Sequence, residues 1–346
     1  MELAVQAEEN GLDCVWYCQD LFQRDVWVFL TAVASRTQEV DLGTGIVTPY
    51  SVSPAELTMH AATLDEYSGG RVRLGISVGA VEFLKWAGIN VHHPLSGMRE
   101  SIAIIRRLLK GERVEHDGTV FKGWTREAYL RFEPIREEIP IYLGAQSPRM
   151  LELTGEIADG GLPLLFPPEY YDKVVEYMGR GAMKAGRSLD DLDIVGCVWF
   201  SLAEDRDDAK DALRDLVTYY GPHLADEMIS TLGLTTEAFD PIREAYERRD
   251  VESARKLMTD EMASLAIYGA AAGWLYGVLM QEVAYVRPVS VADLHTTKAQ
   301  RQRQVMGTFP TYRRDRDRGG DVADAAFLAL SELRVLERQL AQTGIR

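Results

Sequence analysis

Apolar residues in this chain fall into short unbroken runs, separated by longer stretches in which they recur every three or four positions. The runs at Cys14–Cys18, Leu42–Ile46, Val72–Val78, Ile139–Gly144, Gly161–Phe166 and Ile194–Leu202 have the length and composition of strands buried on both faces. Between them, helices are predicted over Glu2–Asn10, Asp25–Ser35, from Pro54 onward, over Met98–Lys110, after Ser147-Pro148, over Pro168–Ala185 and from near Asp205. Local chemistry marks several boundaries. Ser53-Pro54-Ala55-Glu56 places an N-cap, a first-turn proline and a capping-box glutamate in order. Ile102, Ile105, Leu108 and Leu109 form one apolar stripe, and Gly111 supplies its stop. Residues 112–134 interrupt the alternation, with a hairpin turn expected at Asp117-Gly118.

Repeated βα units exclude an all-β or helix-bundle fold and leave a barrel or a doubly wound sheet. No GxGxxG follows a first strand and no GxxxxGK[ST] is present, so the predicted fold is an α/β barrel of the (β/α)8 TIM type. Residues 1–269 are expected to form it. From residue 270 the pattern changes, through AAAGWLYGVLMQEVAYVRPVSVADLHTT, the charged RRDRDRGGD and an amphipathic stretch at Asp321–Gln342. Residues 270–346 are therefore expected to be a divergent, helix-rich C-terminal extension.

A formal net charge of −15 argues against a nucleic-acid partner, whose phosphates call for clustered Lys and Arg. No apolar run is long enough to span a bilayer, and MELAVQAEENG has no basic segment leading into an apolar one. A cytoplasmic protein with no membrane partner is expected. Cys14-x3-Cys18 lies within a predicted strand and Cys197 stands apart, so neither a metal site nor a disulfide is expected. Neither HExxH nor GxSxG occurs.

Ligands of an α/β barrel sit at the C-terminal ends of its strands. Those ends read Cys18-Gln19-Asp20, Gly45-Ile46-Val47-Thr48, Ser77-Val78-Gly79-Ala80, Gly144-Ala145-Gln146-Ser147 and Pro163–Phe166. Small residues dominate, which suits a flat, bulky ligand packed against backbone and offers little for hydrolysis. Gly144-Ala145-Gln146-Ser147-Pro148 ends a strand and opens a helix, where an anion such as a cofactor phosphate is favoured; an ordinary capped helix is the alternative. Asp20 is the one acid just beyond a strand end and the candidate for proton transfer.

The segments GLDCVWYCQD, RDVWVFLTAVASRT, VDLGTGIVTPYSVSPA, ATLDEYSGGRVRLGISVG and PIYLGAQSPRMLELTGEIADGG together resemble the luciferase-like flavin and deazaflavin oxidoreductases. Within them the chain is most similar to the coenzyme F420-dependent branch that includes methylenetetrahydromethanopterin reductase. The resemblance implies a non-prolyl cis peptide at Gly45-Ile46 behind the deazaflavin ring. It also implies cofactor contacts from Thr48, Ser77, Gly79, Gly144, Ala145, Gln146 and Ser147, with F420 as cofactor and FMN as the alternative. Asp20 stands where many relatives carry a histidine, and Ala80 where several carry an acid.

The activity implied is hydride transfer between the deazaflavin and a small organic substrate, with a pterin-linked one-carbon unit as the specific form. The alternatives are an FMN-dependent monooxygenase and a non-catalytic barrel. Relatives begin with a strand ahead of the first helix, whereas Met1-Glu2-Leu3 starts inside that helix. A missing first strand would expose sheet edges, so a homo-oligomer is expected, with a C-terminal tail that does not rebuild a regular eighth βα unit.

Overall fold

The computed structural model describes residues 1–270 except 198 and 204. They cluster into two compact units, one of residues 1–164 and 173–197, the other of the described residues in 165–172 and 198–270. Almost all of the expected C-terminal extension, 271–346, lies outside the described residues.

The first unit carries six parallel strands in chain order: β1 (Cys14–Tyr17), β2 (Asp41–Thr44), β3 (Val72–Ile76), β4 (Ile141–Ala145), β5 (Gly160–Pro163) and β6 (Asp193–Ile194). Helix α1 (Glu2–Glu9) precedes them. Along the chain α2 (Val26–Ala34), α3 (Pro54–Ser68), α4 (Val81–Trp86) with α5 (Pro94–Leu109), α6 (Pro148–Ile157) and α7 (Tyr171–Lys184) separate successive strands. The helix α3 begins as its sequence dictates. Ser53 accepts from the Glu56 amide, the Glu56 carboxylate answers at the Ser53 amide, and Gly69 ends the helix in the left-handed region at φ 73°. Proline also sets the start of α5, at Pro94 rather than Met98. At the expected turn, His116 and Trp124 form an antiparallel bridge.

The six-stranded sheet is strongly curled. In a flat sheet, strands three places apart would be separated by about 14 Å. Yet the Trp16 ring of β1 lies 5.0 Å from the Tyr142 ring of β4, and Arg73 of β3 reaches Asp193 of β6 at 3.0 Å. The sheet therefore forms a half-barrel closed on these side chains. Near the N-terminal strand ends, Arg73 donates to Asp41 at 2.6 Å and to the Tyr142 hydroxyl at 2.6 Å, and that hydroxyl donates to Asp193 at 2.6 Å. Burial raises the Asp193 carboxyl even against its Tyr142 and Arg73 partners. Burial, together with the Asp193 charge, raises the Tyr142 phenol too. This buried polar cluster fills the end of the half-barrel opposite the one that carries the predicted ligand loops.

The run Ile194–Leu202, expected as one strand, is divided. Asp193–Ile194 pairs with β5, Cys197 makes an isolated bridge to Leu164, and β7 (Phe200–Ala203) pairs instead with β8 (Ile267–Ala270). A change of pairing partner splits a run whose composition is continuous. In the second unit, α8 (Arg206–Tyr220) starts at an Asp205 cap and packs on both β7 and β8. Four short helices, α9 (Asp226–Ser230), α10 (Asp240–Glu247), α11 (Val251–Lys256) and α12 (Asp260–Ala263), precede β8. Among the described residues, no helix is long and apolar enough to cross a membrane.

Candidate functional site

Parallel strands bring their C-terminal ends to one side of the sheet, and a continuous lattice of hydrogen bonds joins the residues there. The Gly45 amide donates to the Tyr17 carbonyl at 2.7 Å and the Gln19 amide to the Ile46 carbonyl at 3.2 Å. Val47 and Ser77 continue the lattice, with Val47 donating to Gly75 at 3.0 Å and Ser77 to Val47 at 3.0 Å. The Ser77 hydroxyl then crosses to the Gly144 carbonyl at 2.8 Å. Leu164 donates to the Ala145 carbonyl at 3.1 Å, and the Gln146 side chain returns to the Leu164 carbonyl at 3.3 Å. The Gly45–Ile46 peptide is cis.

The surface so built is backbone and small side chain. A Cβ on Gly144 would lie 2.9 Å from the Ser77 Cβ and 3.1 Å from the Ile46 Cγ2. Gly79 sits in the left-handed region at φ 82°, and a Cβ there would come 3.3 Å from the Thr48 Cβ. Neighbouring side chains already occupy the place a side chain would take at Gly144 and crowd it at Gly79, so the rim is confined to main chain and small residues at both positions. Thr48 is buried and its hydroxyl donates to the Val78 carbonyl at 2.8 Å, which ties the loop after β2 to the loop after β3. A second threonine has the same bracing role and was not anticipated from sequence. The Thr44 hydroxyl donates to the Gly75 carbonyl at 2.8 Å and accepts from the Gly75 amide at 2.9 Å. Only strand adjacency brings residues 44 and 75 together, and no local motif announces it.

Ser147 stands at the N-cap of α6, exposed, with its carbonyl accepting from the Met150 and Leu151 amides. Its side chain makes no capping bond and Pro148 has no N–H, so the Arg149 amide is the donor of the first turn that neither the cap nor the Ser147 carbonyl engages.

Asp20 lies beyond β1 on a loop pinned at its far end, where the Val26 amide donates to the Gln19 side-chain oxygen at 2.7 Å. The Asp20 side chain is half-buried and hydrogen-bonds to none of the described residues. Burial raises its carboxyl from the ordinary value, which makes the protonated form easier to hold. Neighbouring Cys18 is pushed up to about 12 by burial and by the Asp20 charge. It is a neutral thiol at physiological pH rather than a nucleophile.

The family model for luciferase-like monooxygenases matches residues 1–272. A 5,10-methylenetetrahydromethanopterin reductase from Archaeoglobus fulgidus is 36% identical over 263 residues, covering 75% of this chain and 78% of that protein. An F420-dependent glucose-6-phosphate dehydrogenase from Nakamurella multipartita is 34% identical over 224 residues, covering 60% of this chain and 65% of that one. Among solved structures, the coenzyme F420-dependent tetrahydromethanopterin reductase from Methanopyrus kandleri aligns with a TM-score of 0.72 at 28% identity, covering 83% of this chain and 89% of that chain.

Proposed function

The chain belongs to the luciferase-like monooxygenase family, and on that premise we propose that it is a coenzyme F420-dependent oxidoreductase acting on a pterin-linked one-carbon unit. The observation that carries this reading is the rim of small residues across β2, β3 and β4, where a single added Cβ at Gly144 would collide with its neighbours. Gly45, Ile46, Ser77, Gly79, Gly144 and Ala145 would back the ring. Gln146, Ser147 and the first turn of α6 would take an anionic part of the cofactor. Thr48 and Thr44 hold the loops that carry these residues. A deazaflavin, when bound, supplies two-electron hydride chemistry, so the protein's own tasks are orientation and proton placement.

Reducing a methylene bridge between two nitrogens to a methyl group breaks one C–N bond and leaves a nitrogen that takes up a proton. Asp20 is the group to which we give that proton. Burial favours its neutral form, and none of the described side chains or amides competes for the carboxyl. The similarity to proteins named as methylenetetrahydromethanopterin reductases supports the substrate class.

The test is to mix the purified full chain with reduced F420 and either methylenetetrahydromethanopterin or an aldehyde-free control, and to follow formation of the oxidised cofactor. Turnover that requires the methylene pterin is expected. Turnover with glucose 6-phosphate or a simple alcohol instead would replace the substrate class, and oxygen consumption with reduced FMN would replace the reaction.

A further inference from the structure

Two loops at the C-terminal side of the sheet carry aromatic side chains that the ring site does not use. Phe22, on the loop after β1, is 71% exposed, and its backbone lies in the left-handed region at φ 69°. A bulky residue rarely occupies that region, and such positions cluster at functional sites. Trp86, the last residue of α4 after β3, is 67% exposed. The Phe22 and Trp86 ring centroids are 6.4 Å apart, and Phe83 lies 5.0 Å from Trp86. Since β2 lies between β1 and β3 in the sheet, these rings join two loops across the strand that leads into Gly45–Ile46.

Single exposed apolar residues are ordinary on a protein surface, whereas large aromatics grouped beside a ligand site form a contact surface. The segments that carry these rings are anchored. Buried Leu84 holds α4 from beneath, and the bond from Val26 to Gln19 closes the other loop. Backbone held in this way limits the freedom lost when a ligand stacks on the rings. What stacks well on Trp and Phe faces is another flat π system. Asp20 precedes Phe22 by two residues on the same loop, so one segment carries both a ring of this group and the proton donor proposed above.

We propose that Phe22, Phe83 and Trp86 form the platform on which the planar pyrimidine half of the substrate's reduced pterin stacks, and that this platform selects the substrate class. The proposal rests on the oxidoreductase reading above and extends it from the cofactor ring to the substrate. A phosphorylated sugar or a small alcohol has no π face to use it.

Calorimetric titration of the full chain with 6-methyltetrahydropterin tests this, because that probe carries the heterocycle without the one-carbon unit or a charged tail. Saturable binding is expected, weakened about tenfold by Trp86→Leu and by Phe22→Leu and restored to within about threefold by Trp86→Phe. F420 affinity, measured separately, should be the same in all four proteins. Pterin affinity that stays within about twofold in both leucine variants would overturn the proposal. So would a chain that binds F420 but not the pterin, or a Trp86→Leu chain that changes only its oligomeric state. A chain that binds the pterin in the expected pattern but does not bind F420 would keep the platform and remove the cofactor reading.

Discussion

The Ser77 hydroxyl donates to the Gly144 carbonyl at 2.8 Å, and the same approach leaves only 2.9 Å between the Ser77 Cβ and the place a Gly144 Cβ would occupy. One contact thus ties the segment after β3 to β4 and excludes a side chain at residue 144. It also couples stability to binding at this position.

Gly144→Ala should therefore cost about 1–3 kcal/mol of stability, the usual penalty for overpacking. Any relaxation that relieves the clash shifts Ser77 or Ile46, both proposed above to back the ring, so F420 affinity should fall about tenfold or more. Urea unfolding and F420 titration of the same variant check both parts. A variant that keeps its affinity while losing stability would separate the rim from the ring site.

Asp20→Asn should lower turnover by about two orders of magnitude or more, the range for a lost proton-transfer group, with little change in F420 affinity. Its stability effect should have the opposite sign. Burial raises the folded-state pKa of Asp20, so the folded protein binds the proton more tightly than the unfolded chain and loses stability as pH rises through and above the ordinary carboxylate range. Asparagine does not ionise. The variant should melt higher than the parent near neutral pH, and the gap should close as the solution is acidified to about pH 4. Thermal melts across that range, run beside steady-state rates, decide it. Unchanged turnover would make Asp20 a solvated loop residue.

Arg73 predicts a different pH signature. It is 12% exposed at its side chain and holds Asp41 and Asp193 at 2.6 and 3.0 Å. Arg73→Met strands two mostly buried carboxylates and should cost about 3–5 kcal/mol near neutral pH. The loss should shrink as pH falls through the carboxylate range, because burial already favours the neutral form of Asp193 and the stranded carboxyl can then protonate. Chemical denaturation near neutral pH and again at about pH 4 measures it. A deficit independent of pH would point to lost packing rather than unpaired charge.

Much of this architecture is legible in the sequence where the signal is local. Ser53 to Glu56 announces α3, and Asp205 announces α8. The strands β1 to β5 stand out because parallel strands buried on both faces leave continuous apolar runs. What fails is whatever depends on pairing. Ile194–Leu202 looks like one strand because composition is blind to the switch from β5 to β8. Helix α4 is only six residues long and has one buried side chain, Leu84, so it leaves no periodic trace. The Arg73–Asp193 bond joins residues 120 apart in sequence. The site shows the same division. The small residues at the strand ends could be read directly, and the Gly45–Ile46 cis peptide through resemblance to the family, whereas the bracing by Thr44 and the Phe22–Trp86 pair depends on which strands are neighbours.

The central claim is that the small-residue rim is a deazaflavin site, and equilibrium titration of the purified full chain with F420 and with FMN, each followed by its ring fluorescence, tests it most directly. Saturable F420 binding at least about tenfold tighter than FMN binding is expected, with the preference reduced in Gly144→Ala. Equal or tighter binding of FMN, or no saturable binding of F420, would contradict it.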